Sequence, residues 1–167
     1  LMALVTDEAG HSAPRLGEVE LAPDDARRFH VELVRDVVRM LCIGLIHGDL
    51  SEYNVLVAPE GPVIIDLPQV VSAAGNNAAR AMLLRDVHNL RDSLARFAPE
   101  LAATHYGEEM WLLYEKGELQ PDTVLTGQFT FDQHDADVGA VMMSIEDARQ
   151  EALIREQGRA EAAAAED

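Results

Sequence analysis

Gly44-Leu45-Ile46-His47-Gly48-Asp49-Leu50-Ser51-Glu52-Tyr53-Asn54-Val55-Leu56-Val57, followed after a short reversal by Val63-Ile64-Ile65-Asp66-Leu67-Pro68-Gln69, is the stretch on which the fold turns. Asp49, Asn54 and Asp66 stand at the edges of short β-branched runs, an arrangement that packing alone does not require. A hairpin with strands near 55–58 and 63–66, turned by Pro59-Glu60-Gly61-Pro62, would return Asp66 to the side of Asn54 and Asp49. Three oxygen-bearing side chains would then face one pocket. Asp and Asn are also ordinary turn and cap residues, but their joint spacing and flanking runs weigh against that plainer explanation.

The chain has 167 residues, enough for one domain with a real core and a polar tail. Asp and Glu outnumber Lys and Arg by 30 to 13, for a formal net charge of −17. That balance argues against a nucleic-acid surface, because phosphate contacts need cations that displace counterions. Neither a twenty-residue apolar run nor a basic-then-apolar leader is present, so neither a membrane span nor a secretory signal is expected, and a cytoplasmic location is the default. One cysteine, Cys42, excludes an intrachain disulfide and a cysteine-rich zinc site. The histidines lack metal-ligand spacing. Asp132, Asp135 and Asp137 imitate a calcium loop, but its Gly and closing Glu are out of place, so they read as a solvated loop.

Along the chain, residues 1–5 read as a strand and 11–22 as loop. Pro23, with Asp24 and Asp25 behind it, opens a helix over 24–43 whose Phe29, Leu33, Val34, Val37, Val38 and Leu41 form one buried face, and Gly44 ends it. Gly75-Asn76-Asn77 signals a turn before a second helix, from about Ala78 to Phe97, with a stripe of Leu83, Leu84, Val87, Leu90, Leu94 and Phe97. A third helix is expected near 101–116, with Gly117 as its C-cap. Residues 118–137 have weak periodicity, with Phe129 and Phe131 spaced as in a short strand or tucked loop. From about Ser144 the pattern is a polar, fraying helix. The fold class is α+β, mainly helical.

Phosphoryl transfer from a nucleotide asks for this kind of residue set. The protein positions the acceptor, and divalent metal neutralises the phosphates. Mg²⁺ prefers hard oxygen ligands and takes one or two from protein. Asn54 and Asp66 are of that type, while Asp49, at the pocket edge, is suited to hold an incoming hydroxyl and take its proton late. His47 reads as a brace for the loop rather than a proton carrier.

His47-Gly48-Asp49 with Asn54 five positions after the aspartate, then Ile65-Asp66 at a strand end, resembles the catalytic loop and metal segment of the protein-kinase-like fold. Leu50-Ser51-Glu52-Tyr53-Asn54 and Ile65-Asp66-Leu67-Pro68-Gln69 resemble more closely the RIO family of atypical serine/threonine kinases. Ala13-Pro14-Arg15-Leu16 is similar to that family's post-hinge segment, and Arg85-Asp86 to a charged pair on its helix after the metal segment. The resemblance implies Asp49 as catalytic aspartate, Asn54 and Asp66 as Mg²⁺ ligands, and ATP as the nucleotide. It implies Met2 as gatekeeper, backbone groups of Ala3 and Val5 at the hinge, Ser51 in place of a phosphate-facing lysine, and Leu56 and Ile65 under the purine. It also suggests that Asp86 bonds loop amides from below, although a surface charge is equally compatible with the residues alone.

The family's N-terminal lobe supplies a phosphate-covering loop and a lysine, and nothing in these residues matches it; the one lysine is Lys116. The expectation is therefore a hinge strand over 1–7, a kinase-like C-terminal lobe over 8–131 with a small β-hairpin carrying the metal site, and a polar helical extension over 132–167. On this expectation the N-terminal lobe is absent and the chain on its own is inactive. ATP and a protein substrate of unknown identity are the implied partners. The resemblance also leaves open use of ATP as an ATPase; the alternatives are a small-molecule phosphotransferase of the aminoglycoside or choline kinase type, which shares the HGD…N…D pattern, and a non-catalytic scaffold derived from a kinase lobe.

Overall fold

A computed structural model describes residues 5–6, 10–67, 70–74 and 78–130. The chain divides into two units, Leu1–Phe129 and Thr130–Asp167. The extension expected over 132–167, the residues Met2 and Ala3 and the turn at 75–77 lie outside the described residues.

Helix α1 spans Pro23–Cys42, with proline in its first turn and Asp24 and Asp25 beside the N-terminal dipole. All six residues of the expected stripe, Phe29, Leu33, Val34, Val37, Val38 and Leu41, are buried. Gly44, at φ +77°, donates its N–H to the Leu41 carbonyl at 2.9 Å and turns the chain out of the helix. Helix α2, Ala79–Ala95, buries Leu83, Val87, Leu90 and Leu94 against α1 and α3. Phe97 lies past its end and, like Leu84, is half-buried.

The third helix is shorter than the periodicity predicts. Residues 99–103 form a 3₁₀ turn, Pro99–Ala103, and helix α3 occupies Tyr106–Glu115. Pro99 starts that turn, and the Thr104 N–H bonds back to Leu101 at 3.0 Å, so the backbone tightens before α3 begins. Trp111 of α3 is buried beside Tyr114, ring centroids 5.5 Å apart. His30 of α1 is buried where the helices meet and packs edge-on against Tyr106 at 5.3 Å.

Two small antiparallel sheets complete the unit. β1, Leu45–Ile46, pairs with β4, Val71–Ser72. β2, Val55–Ala58, pairs with β3, Gly61–Ile64, around the two-residue reversal Pro59-Glu60. The hairpin is thus tighter than expected: its second strand begins at Gly61, not Val63, and Asp66 lies two residues beyond it. The loop before α1 adds to the outer edge of β2, where Arg15 bridges Leu56 and the Val57 N–H reaches the Pro14 carbonyl at 2.8 Å. Residues 116–130 form no strand. Glu109 of α3 holds this segment instead, its carboxylate accepting from the Thr126 N–H and hydroxyl and, at 2.7 Å, from the Gly127 N–H.

Candidate functional site

Asp49 sits on the loop leaving β1, and α2 grips the main chain on both sides of it. Asp86, 1% exposed, accepts the Gly48 N–H at 2.7 Å on one carboxylate oxygen and the Leu50 N–H at 2.9 Å on the other. The Arg85 guanidinium donates to the Gly48 carbonyl, and the Asn89 side-chain amide donates to the Leu50 carbonyl at 3.0 Å. Leu50 itself is fully buried in the core. The Asp49 carboxylate remains exposed. Between the two readings of Asp86 left open by the residues, the structure therefore selects the buried acceptor. Burial pushes its pKa up, because the charged form loses water; the Leu50 and Gly48 amides, His47 and Arg85 oppose that rise.

Ser51 follows in extended conformation, and its hydroxyl accepts the Tyr53 N–H at 3.4 Å, capping the 3₁₀ turn Glu52–Asn54. The turn aims Asn54 back at the loop: its side-chain NH₂ donates to the Asp49 carbonyl at 2.6 Å. With the nitrogen end committed, the carbonyl oxygen of the carboxamide is the end left to face outward as an acceptor.

Ile65 ties this loop to the second half of the stretch. Its N–H donates to the Asn54 carbonyl at 2.9 Å, and its carbonyl accepts from His47 Nε2 at 2.9 Å. A carbonyl cannot donate, so the His47 proton sits on Nε2. His47 is 3% exposed, and bracing is what its geometry accomplishes. The same peptide unit leads directly into Asp66, which is exposed and held at φ +66°. Few residues other than glycine adopt that left-handed conformation, Asp and Asn more readily than most. Asp66 therefore directly follows a residue whose N–H bonds Asn54 and whose carbonyl bonds His47.

Leu56 and Ile65 are half-buried on and just past the hairpin. Val5 approaches the same region through the loop edge, its carbonyl accepting the Ala13 N–H at 2.9 Å beside the segment that pairs with β2. Met2 and Ala3, expected alongside it, lie outside the described residues.

Among the described residues no group of three or more His, Cys, Asp or Glu side chains is arranged to hold a metal ion. One carboxamide oxygen and one carboxylate make a hard, two-ligand set, which is what Mg²⁺ takes when water and phosphate oxygens complete its shell. No described helix is long and apolar enough to cross a membrane. A groove of about 400 Å³ between α1 and residues 121–125 shares none of these residues.

The residues that reading the sequence left without a role are Arg85 and Asn89. Their signal was faint: polar residues at positions i, i+1 and i+4 of α2, facing a loop whose backbone, not side chains, they bond.

Compared with known proteins, residues 1–106 match the family model of the RIO domain. The RIO-type serine/threonine-protein kinase Rio1 of Haloferax volcanii is 39% identical over 98 residues, covering 58% of this chain and 31% of that protein. Serine/threonine-protein kinase RIO1 of Chaetomium thermophilum is 34% identical over 95 residues, covering 52% and 18% respectively. A crystal structure of the Rio2 kinase–ADP/Mg²⁺–phosphoaspartate complex from Chaetomium thermophilum aligns with a TM-score of 0.49 and 29% identity, over 89% of this chain and 44% of that one. The chain thus spans 31% and 18% of the length of the two curated relatives.

Proposed function

The chain belongs to the RIO family of atypical serine/threonine kinases, and from that premise we propose that residues 8–131 are a kinase-like C-terminal lobe that carries the acceptor and metal side of an ATP-dependent phosphotransfer site. The observation that carries this reading is residue Ile65, whose N–H bonds the Asn54 carbonyl and whose carbonyl, in the peptide leading into Asp66, bonds His47.

In this reading Asn54 and Asp66 hold Mg²⁺, which supplies charge neutralisation at the phosphates. Asp49, exposed on a fixed loop, orients the serine hydroxyl of a protein substrate and takes its proton as the new phosphate ester forms. What it contributes is placement of the acceptor. Leu56 and Ile65 offer an apolar floor to the purine, beside the backbone of Val5 and, by family resemblance, Met2 and Ala3. Ser51 lies near the phosphates, its hydroxyl also capping the turn that presents Asn54.

Residues 1–7 then serve as the hinge strand and 132–167 as an extension. The single lysine, Lys116, caps α3 at its C-terminal end, which is no place for a phosphate-binding cation of this site. We therefore propose that residues 1–167 assayed alone bind Mg²⁺-nucleotide weakly and turn it over negligibly. The matched relatives are RIO kinases, and nothing among them favours a small-molecule phosphotransferase. Isothermal titration of MgADP against the parent, Asn54→Ala and Asp66→Ala tests the site. Equal affinity in all three would refute it. In the full-length gene product, radiolabelled phosphate transfer to serine of a test protein, rather than to a small alcohol, tests the activity.

A further inference from the structure

We infer that Arg85 is a positioning residue for Asp49, acting through the Gly48 carbonyl; the inference rests on Asp49 being the phosphotransfer aspartate proposed above. The direction of a side chain follows from the two peptide planes that flank its Cα. After Asp49, the plane is held twice, by the Leu50 N–H on Asp86 and by the Asp49 carbonyl on the Asn54 amide. Before Asp49, the plane joins Gly48 to Asp49, and the side chain that bonds it is Arg85, through the Gly48 carbonyl.

That preceding plane is the one most in need of a restraint. Gly48 sits at φ +83° and, having no Cβ, can swing through conformations closed to other residues. Asp86 fixes the N–H on the far side of Gly48, but rotation about the glycine's own bonds can still tilt the next peptide. A guanidinium on the rigid helix α2, adjacent in sequence to the buried Asp86, removes that freedom. Arg85 has no reason of burial to be there, since it is exposed while its neighbour Asp86 is 1% exposed. The carbonyl it bonds belongs to the residue preceding the proposed catalytic aspartate.

The test uses the full-length gene product with Arg85→Met, which keeps the stem and removes the donors, and Arg85→Lys, which keeps one donor group. In Arg85→Met, kcat should fall about ten-fold or more, since displacing a reactive group by an ångström can cost a hundred-fold. The KM for MgATP should stay within about two-fold and the melting temperature should be nearly unchanged, while Arg85→Lys recovers part of the loss. Hydrogen exchange at the Asp49 and Leu50 amides should quicken in Arg85→Met. Parental kcat in Arg85→Met, or an equal loss accounted for by a lowered melting temperature, would overturn the inference. Should the parent itself show no phosphotransfer, the kinase reading fails separately. The exchange measurement then still decides whether Arg85 restrains this peptide, and unchanged rates would overturn it.

Discussion

Replacing Asp86 by asparagine changes no volume and one atom's character, and its effect can be worked from two bonds. The carboxylate accepts the Gly48 N–H at 2.7 Å and the Leu50 N–H at 2.9 Å in a site that is 1% exposed. An asparagine has one oxygen to offer. The other loop N–H then meets an NH₂, and a buried donor on each side is left without an acceptor. Each such orphan costs about 1–3 kcal/mol. Part is offset, because burial already disfavours the charged form of Asp86. The net expectation is a destabilisation of about 2–3 kcal/mol, or about 10 °C in melting temperature for a unit of this size. Urea and thermal unfolding by circular dichroism at pH 7.5 measure it. Asp92→Asn on the same helix is the control, since Asp92 is 63% exposed and pairs with Arg91 at the surface; its cost should stay below about 0.5 kcal/mol. If the two variants melt together, the buried clamp has been misjudged.

Four further outcomes follow from other parts of the molecule. Asp66→Gly should fold as stably as the parent or better by about 1 kcal/mol, because glycine accepts the left-handed φ, whereas Asp66→Ala should not gain; both should lose MgADP affinity in titration. Gly127→Ala should cost about 1–3 kcal/mol in urea unfolding, since its Cβ would stand 2.8 Å from the Tyr106 ring at φ +71°. Burial, reinforced by Arg91, lowers the His30 pKa from 6.5 to about 4. Between those values the unfolded chain takes up a proton that the folded chain refuses, so stability falls as pH drops through 6.5; His30→Phe should be more acid-tolerant than the parent by about 2 kcal/mol between pH 8 and pH 5. Glu109→Gln should loosen residues 126–127, which its carboxylate holds by several bonds, and hydrogen exchange at the Thr126 and Gly127 amides would report it.

What the sequence disclosed and what it hid follow a physical division. The α1 stripe was legible because burial on a helix recurs every three or four residues, and Phe29 to Leu41 keep that spacing without interruption. The hairpin was legible in kind but not in register: Pro59-Glu60-Gly61-Pro62 reads as a four-residue turn, yet Gly61 and Pro62 pair with Ala58 and Val57. β1 and β4 were invisible, being two residues each and joined across a long separation. The break between Pro99–Ala103 and α3 was missed because apolar residues continue through it while only the hydrogen-bond pattern changes. Of the candidate site, the letters mark His47 as a brace and place Asp49, Asn54 and Asp66 at the ends of strands and turns. The contributions of Arg85 and Asn89 were not legible, since a side chain that bonds a distant main-chain atom imposes no pattern on the letters around it.

That the helix takes hold of the loop by its amides and carbonyls has an evolutionary corollary. Main-chain atoms are the same whatever residue position 49 carries, so a single codon change there could silence the chemistry and leave the scaffold intact. A descendant with Asn at 49 should melt like its parent and keep the same outline. In this lineage, inheritance of shape and inheritance of activity are separable traits, and the first can outlive the second.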